Sequence, residues 1–219
     1  MRNVTDRISN PFGMSPPTYD HDDGREPSVP GYGDANADFH LIGDHPGAHG
    51  GERTGVPFTE GEAGRRLQPI LHDLGFLAEP HADDPAPTNL FASYLHMGTL
   101  PDGREPTEDE YDDMERFFDA ELRAIGAHVL LPVGERATRH VLRHYTAKPA
   151  DLADDLPAIH GTEIRGSGWL VIPIRDPREW ESGDDDRLLA GLAALLEQDY
   201  RQEADLSRFV ATDDRYVVR

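Results

Sequence analysis

The chain has 219 residues, which is enough for one hydrophobic core and leaves little for a second domain. It contains no cysteine, so disulfides, thiolate catalysis and cysteine-ligated clusters are excluded. Asp and Glu number 42 against 21 Lys and Arg, and the formal net charge is -21. This charge argues against long-range attraction to nucleic acids, although molar salt would abolish such attraction in any case.

The acidic composition indicates a protein of a salt-rich cytosol, such as that of haloarchaea. Lys148 is the only lysine, so nearly every basic side chain is an arginine. In molar salt the Debye length is about 3 Å or less, and neighbouring carboxylates scarcely repel each other. An ordinary acidic, solvated surface is the alternative explanation.

The distribution of apolar residues predicts neither a membrane helix nor an N-terminal signal core. No apolar run approaches the roughly 20 residues of a membrane helix, and the first residues lack an apolar signal core. We therefore expect a cytoplasmic protein with no membrane partner. Residues 1–28, rich in Pro, Gly and Asp, predict an arm; residues 29–205 predict the folded domain, and residues 206–219 a tail.

The first half of the predicted domain alternates strands with a helix. Residues 38–42 form a short strand that runs into a glycine-rich loop, residues 43–58. A capping box at residues 59–62 opens a helix that Gly75 ends. Residues 88–93 then form the next strand.

The second half repeats this alternation. A capping box at residues 107–110 opens a helix that Gly126 ends, and residues 128–133 form a buried strand. Another helix follows, then a strand at residues 169–172 and a last helix with leucines between 188 and 196. Such alternation predicts the α/β class, here a single-domain three-layer α/β/α sandwich with a central, mainly parallel sheet.

Sites in such sheets lie at the carboxyl ends of the strands. Three predicted loops leave those ends, at residues 43–58, 89–98 and 173–180. These loops carry most of the residues considered below.

Two adjoining segments match a known family in order and spacing. Residues 29–37 read VPGYGDANA, and residues 43–64 read GDHPGAHGGERTGVPFTEGEAG. They resemble the first motif of prokaryotic family 4 and family 5 uracil-DNA glycosylases. The resemblance continues at residues 88–89 and 127–134, and it extends from about residue 29 to residue 180.

This resemblance implies an enzyme that removes uracil or a related deaminated base from DNA in base-excision repair. It implies DNA as the partner, and we expect a monomer that needs no metal or organic cofactor. A non-catalytic DNA-binding relative with the same fold and base pocket is the alternative. A nucleotide-binding α/β protein would explain the open sheet but not the loop match.

The resemblance also assigns DNA-contacting roles. Phe58 would stack on the flipped base, and Asn89 would read the uracil edge with one donor and one acceptor. Arg53 would contact a phosphate. The alternatives are a core aromatic for Phe58 and a strand cap for Asn89.

Three residues of the glycine-rich loop are candidates for acid–base chemistry. His45 occupies the position where other branches of the superfamily place a water-activating Asp. It would position water or donate to the leaving base, or it would simply bond to a carboxylate. Asp44 is a candidate base or a solvated loop acid, and His49 is a similar candidate.

The sequence departs from the family at two motifs. Arg175-Asp176-Pro177-Arg178 stands where the family has His-Pro-Ser, so Asp176 replaces the catalytic-type His. Arg175 and Arg178 would hold Asp176 or grip phosphates; a salt-bridged surface loop is the alternative. Trp180 would insert into DNA or pack on the protein. Families 4 and 5 usually hold an iron–sulfur cluster through four cysteines. Ser93 and Met114 fall where two of these cysteines are expected, and packing that includes Phe12 must replace the cluster.

His140 and His144 lie four residues apart on a predicted helix, a spacing that suits a metal. No Glu follows the first of them in the metalloprotease manner, which favours a solvated helix face. We expect the loop 43–58, Asn89 and Asp176 to converge on one cleft.

Overall fold

A six-stranded sheet forms the centre of the protein in a computed structural model, which describes residues 3–19 and 23–206. The strands are β1 (Tyr32–Gly33), β2 (Phe39–Gly43), β3 (Leu90–Tyr94), β4 (Val129–Pro132), β5 (Ile164–Gly166) and β6 (Trp169–Val171). Their order is β1-β3-β2-β4-β6-β5. The four inner strands run parallel, and the two edge strands are antiparallel to their neighbours.

Helices cover both faces of this sheet. They are α1 (Pro46–His49), α2 (Glu62–Asp73), α3 (Glu108–Ile125), α4 (Gly134–Tyr145), α5 (Leu156–Ile159), α6 (Asp184–Leu196) and α7 (Tyr200–Leu206). One hydrophobic cluster joins the sheet to α2 and α6, and a second cluster joins the other face to α3 and α4. The predicted three-layer α/β/α architecture with a mainly parallel sheet is confirmed.

Strand β2 shows why the sheet is covered on both sides. All five of its residues are buried. Phe39 and Leu41 belong to the first cluster, whereas Ile42 belongs to the second, as expected from side chains that alternate along a strand. A strand whose residues are all buried occurs where helices lie on both faces of the sheet.

The N-terminal arm lies along the sheet edge. The N–H of Asn10 donates to the Gly31 carbonyl at 2.9 Å, and Gly33 donates to Ile8 at 2.7 Å. The ring of Phe12 lies 6.5 Å from that of Phe91 on the sheet. Most of the predicted tail, residues 207–219, lies outside the described residues.

One of the two predicted capping boxes is confirmed. At α3 the Thr107 hydroxyl accepts from the Glu110 N–H, and the Glu110 carboxylate accepts from the Thr107 N–H. The box expected at residues 59–62 is wrong. Helix α2 begins at Glu62 after Gly61, and the Thr59 hydroxyl donates to Val56 and contacts Thr54 instead.

None of the described helices is long and apolar enough to cross a lipid bilayer.

The charge makes a prediction about stability. Because removing salt unmasks repulsion among 42 acidic residues, the melting temperature should rise steeply between low salt and molar salt. Thermal unfolding at several KCl concentrations checks this. A melting temperature that stays flat over the range would contradict the proposed adaptation to a salt-rich cytosol.

Candidate active-site cleft

A cleft of about 660 Å³ opens at the carboxyl ends of the inner strands. Asp44 follows β2 directly, Gly134 follows β4 by two residues, and Asp176 follows the segment after β6. The acidic and imidazole side chains that line it are Asp44, His49, Glu108, Glu135, Asp154, Asp176 and Glu179. The basic side chains around them are Arg136, Arg139, Arg143, Arg175 and Arg178.

The glycine-rich loop is held in one conformation by Tyr94, the last residue of β3. Its hydroxyl donates to the Gly50 carbonyl at 3.0 Å and accepts from the Phe58 N–H at 2.8 Å. Gly50 has φ +95°, and a Cβ there would overlap with the Thr59 carbonyl. The loop therefore needs glycine at this point and a buried tyrosine beneath it. No sequence pattern singled out Tyr94.

His49 is the imidazole that faces the cleft. Its Nδ1 accepts a hydrogen bond of 3.1 Å from the Asp44 N–H, so the neutral ring carries its proton on Nε2. Nε2 lies 3.6 Å from Oδ2 of Asp176. The ring is almost fully buried, and Nε2 has no hydrogen-bond partner within ordinary distance among the described residues. This N–H is aimed at the Asp176 carboxylate.

Asp176 is held as a carboxylate. The Arg178 guanidinium donates to its two oxygens at distances between 2.6 and 3.1 Å, and the Arg178 N–H adds a bond of 2.9 Å. Burial alone would raise the pKa of Asp176, but His49 and Arg178 outweigh burial and hold that pKa below its usual value. Asp176 is therefore an anion at neutral pH.

Asp44 has a different environment. Burial raises the pKa of the Asp44 carboxyl above its usual value, against the opposing effect of Tyr111, whose hydroxyl donates to it. The Arg136 guanidinium lies 3.9 Å from Asp44 and 4.2 Å from the centre of the Tyr111 ring. The carboxyl groups of Asp44 and Asp176 thus have pKa values shifted in opposite directions.

His45 is buried at the start of α1, with its ring against Gly47, and it does not line the cleft. Burial lowers the pKa of His45 to about 4, so the ring is neutral at pH 7. A direct catalytic role for His45 stays a prediction. His49, unlike His45, lines the cleft.

The cleft belongs to a protein whose sequence matches a known family. The profile of the uracil DNA glycosylase superfamily matches residues 30–187, which is well over half of the chain. The chain is a member of the uracil DNA glycosylase superfamily.

The chain is similar to enzymes of two types in this superfamily. It is 34% identical to a type-5 uracil-DNA glycosylase of Thermus thermophilus over 53% of this chain and 55% of that one. It is 29% identical to a type-5 enzyme of Pyrobaculum aerophilum, over 68% and 65%. It is 26% identical to a type-4 enzyme of Saccharolobus solfataricus, over 70% and 66%. The chain thus spans between about half and two thirds of the curated relatives it matches.

This member of the superfamily does not fit an iron–sulfur cluster, which the resemblance to families 4 and 5 implies. It has no cysteine to ligate iron. Ser93 is fully buried and lies 2.7 Å from Nε2 of His40, and Met114 is buried in the core. Hydrogen bonding and apolar packing occupy the two positions where cluster ligands were expected.

Asn89 is not part of the cleft, which corrects the prediction that placed it there. It lies at the amino end of β3, because this strand begins at Leu90 and its carboxyl end is Tyr94. The Asn89 side chain accepts from the Asp38 N–H at 2.7 Å and donates to the Tyr200 hydroxyl. These bonds cap the amino edge of the sheet, so we do not retain a base-reading role for Asn89.

Phe58 lies behind the cleft rather than in it. Its ring is buried, and one face stacks on His49 with ring centres 5.4 Å apart and planes 16° from parallel. Tyr94 lies 5.3 Å away on a tilted plane. The predicted base-stacking face of Phe58 is therefore covered by His49, which lines the cleft.

The predicted arginines differ in exposure. Arg53 is 73% exposed and pairs with Glu60 at 3.2 Å, so it is available to a phosphate. Arg175 is mostly covered and pairs with Glu181 and Asp184. Trp180 donates from its indole N–H to the Arg175 carbonyl at 2.7 Å and packs near His160, so it is a packing residue.

Helix α4 supplies cationic side chains that the sequence patterns did not single out. Arg136, Arg139 and Arg143 recur at spacings of three and four residues, which places them along one helix face toward the cleft. Arg136 pairs with Glu108, and Arg139 with Glu135 and Asp154. The spacing of three and four residues was the sequence pattern that could have predicted this row of arginines on one face of α4.

Proposed function

We propose that this chain is a DNA glycosylase that removes uracil or a related deaminated base from DNA, as a step of base-excision repair. Membership of the superfamily supports the reaction class. The observation that carries the proposal is the cleft itself, in which the imidazole of His49 and the carboxyl groups of Asp44 and Asp176, with pKa values shifted in opposite directions, meet at the carboxyl edge of the sheet.

The leaving base needs a hydrogen-bond donor. The target nucleotide must leave the base stack, and breaking its glycosidic bond transfers the bonding electron pair to the base. We assign this donor role to the Nε2–H of His49, which is buried, fixed by the Asp44 N–H and free of an ordinary acceptor within the described residues. His49, in the glycine-rich loop, would thus be the hydrogen-bond donor that the resemblance places in the His-Pro-Ser motif, where this chain has Asp176.

The sugar and the incoming water need carboxylates. Asp176, an anion beside His49, would stabilise the positive charge that develops on the sugar. Asp44 has the raised pKa that suits a general base, and it would accept the proton of the water that attacks the sugar carbon. Tyr111 would orient the Asp44 carboxyl through its hydrogen bond.

Binding of DNA is assigned to the arginines around the cleft and to Arg53. Five arginines line the cleft of this chain of net charge -21, and six acidic side chains line it with them. Phosphates would displace carboxylates from ion pairs that the free protein makes with its own residues. We further propose that the enzyme acts as a cytosolic monomer.

This assignment predicts the effect of removing Arg143, an exposed cleft residue. Arg143→Gln should weaken binding to all DNA sequences alike and reduce the slope of log K against log salt concentration by about 1. Fluorescence anisotropy over a salt series measures both effects. Arg123→Gln is the matched control, because Arg123 pairs with Asp119 outside the cleft. Equal slopes for the two variants would remove Arg143 from the DNA interface.

The rival hypothesis is a non-catalytic DNA-binding relative. The ion pair between Arg178 and Asp176 favours this relative, because a carboxylate whose charge is balanced by a guanidinium also suits a structural role. The deciding experiment incubates the wild-type protein in molar salt with a uracil-containing oligonucleotide and detects abasic sites. Abasic sites support the enzyme; specific binding without them supports the relative.

A further inference from the structure

Three side chains of the types that commonly ligate transition metals meet between α3 and α4, beside the candidate active site. They are Glu115 on α3 and His140 and His144 on α4, and their ligand atoms all lie within 4.8 Å of one another. Nδ1 of His144 is 3.6 Å from a Glu115 oxygen. The sequence favoured a solvated helix face for the two histidines, but α3 covers part of that face.

His140 has an unsatisfied nitrogen at this position. Its ring packs against Phe118 with centres 5.6 Å apart and stacks on the His144 ring at 4.5 Å. Nε2 is buried and has no hydrogen-bond partner among the described residues. This nitrogen is therefore available to a ligand.

We propose that Glu115, His140 and His144 bind one divalent transition-metal ion of the zinc class. Two imidazoles and a carboxylate whose ligand atoms lie within 4.8 Å of one another form a donor set that zinc accepts. Bond lengths of about 2.0–2.2 Å require the ligand atoms to approach one another by roughly 1 Å, which small side-chain rotations provide. The fourth position faces a cleft of about 240 Å³ that water can enter.

A metal at this point would tie α3 to α4. Helix α4 carries Arg136, Arg139 and Arg143, which border both this cleft and the candidate active site. The ion would therefore fix the helix that presents the DNA-binding side chains. This role is independent of base excision, so the site can be tested without an activity assay.

The test uses the full chain, stripped of metal, in molar sodium sulfate with excess Mg²⁺. Mg²⁺ occupies surface carboxylates but not imidazoles, and it removes weak binding by the acidic surface. Titration with Zn²⁺ should give one tight site per chain and raise the melting temperature. Co²⁺ should give the visible absorption of tetrahedral coordination. Glu115→Gln and His144→Ala should each weaken Zn²⁺ binding by more than about tenfold.

His81→Ala is the matched control, because His81 is exposed on a loop far from both helices in sequence. It should bind Zn²⁺ like the wild type. His144 and Glu115 are partly exposed, so both variants should fold, and circular dichroism checks this. No tight site in the wild type, or an affinity unchanged in both folded variants, would overturn the proposal.

Discussion

Asp44→Asn should lower single-turnover excision of uracil by about 10²- to 10⁴-fold, the share of a positioned general base. The asparagine preserves size and can still accept from Tyr111, but it cannot take a proton from water. The measurement is the rate of abasic-site formation under excess enzyme. Asp185→Asn, at the start of α6 and outside the cleft, is the control and should keep the wild-type rate.

A second variant separates catalysis by Asp44 from a structural role. Tyr111→Phe keeps the ring under Arg136 but removes the hydroxyl that lowers the pKa of Asp44. The pKa of Asp44 should rise, and because excision needs the ionised carboxylate, the acidic limb of the pH–rate profile should move to higher pH. An unshifted limb, with Asp44→Asn near wild-type activity, would exclude Asp44 as the base.

Glu121→Gln should stabilise the protein at alkaline pH. Glu121 is fully buried on α3 against Gly31 and beside Ser93, and neither carboxyl oxygen has a hydrogen-bond partner of good geometry among the described residues. Burial raises the pKa of Glu121 to about 8. The folded state therefore holds a proton that the unfolded chain releases, and this contribution, present below about pH 4.5, is lost as pH rises through about 8.

The size of this effect follows from linkage. A pKa raised to about 8 corresponds to a loss of unfolding free energy on the order of 4 kcal/mol, or about 10 °C in melting temperature. Glu121→Gln should therefore match the wild type near pH 5 and exceed it at pH 8.5, at constant molar salt. Asp113→Asn, an exposed acid on the same helix, controls for the general loss of negative charge. Equal destabilisation of Glu121→Gln at both pH values would show that the carboxylate is paired.

The order of the elements could be predicted because apolar periodicity and helix boundaries are local. Thr107, Glu110 and Gly126 mark the ends of α3 by hydrogen bonds within a few residues, and they were identified correctly. The box at Thr59 failed because its hydroxyl bonds to Val56 and Thr54, three and five residues earlier in the glycine-rich loop. A short pattern cannot reveal such competition.

The candidate site was harder to predict, because it depends on where each strand ends and on which ring lies in front. The predicted strand at residues 88–93 nearly matches β3, but Asn89 lies at its amino end and not at the carboxyl end where the site forms. His49 and Phe58 both lie in the predicted loop at residues 43–58. Only the fold shows that their rings stack and that His49 is the one that lines the cleft. Asp176 was singled out by comparison with the family motif, whereas the hydrogen bonds that Arg178 donates to it could be seen only in the structure.

Excision of uracil by the wild-type chain tests the central claim most directly. A labelled duplex with a single uracil is incubated in molar salt with excess protein, and abasic sites are cleaved with hot alkali at each time point. We predict strand cleavage at the uracil, far slower cleavage by Asp44→Asn, and none in the same duplex with thymine. Wild-type protein that binds the lesion duplex specifically but leaves uracil, hypoxanthine and xanthine in place would contradict the glycosylase assignment.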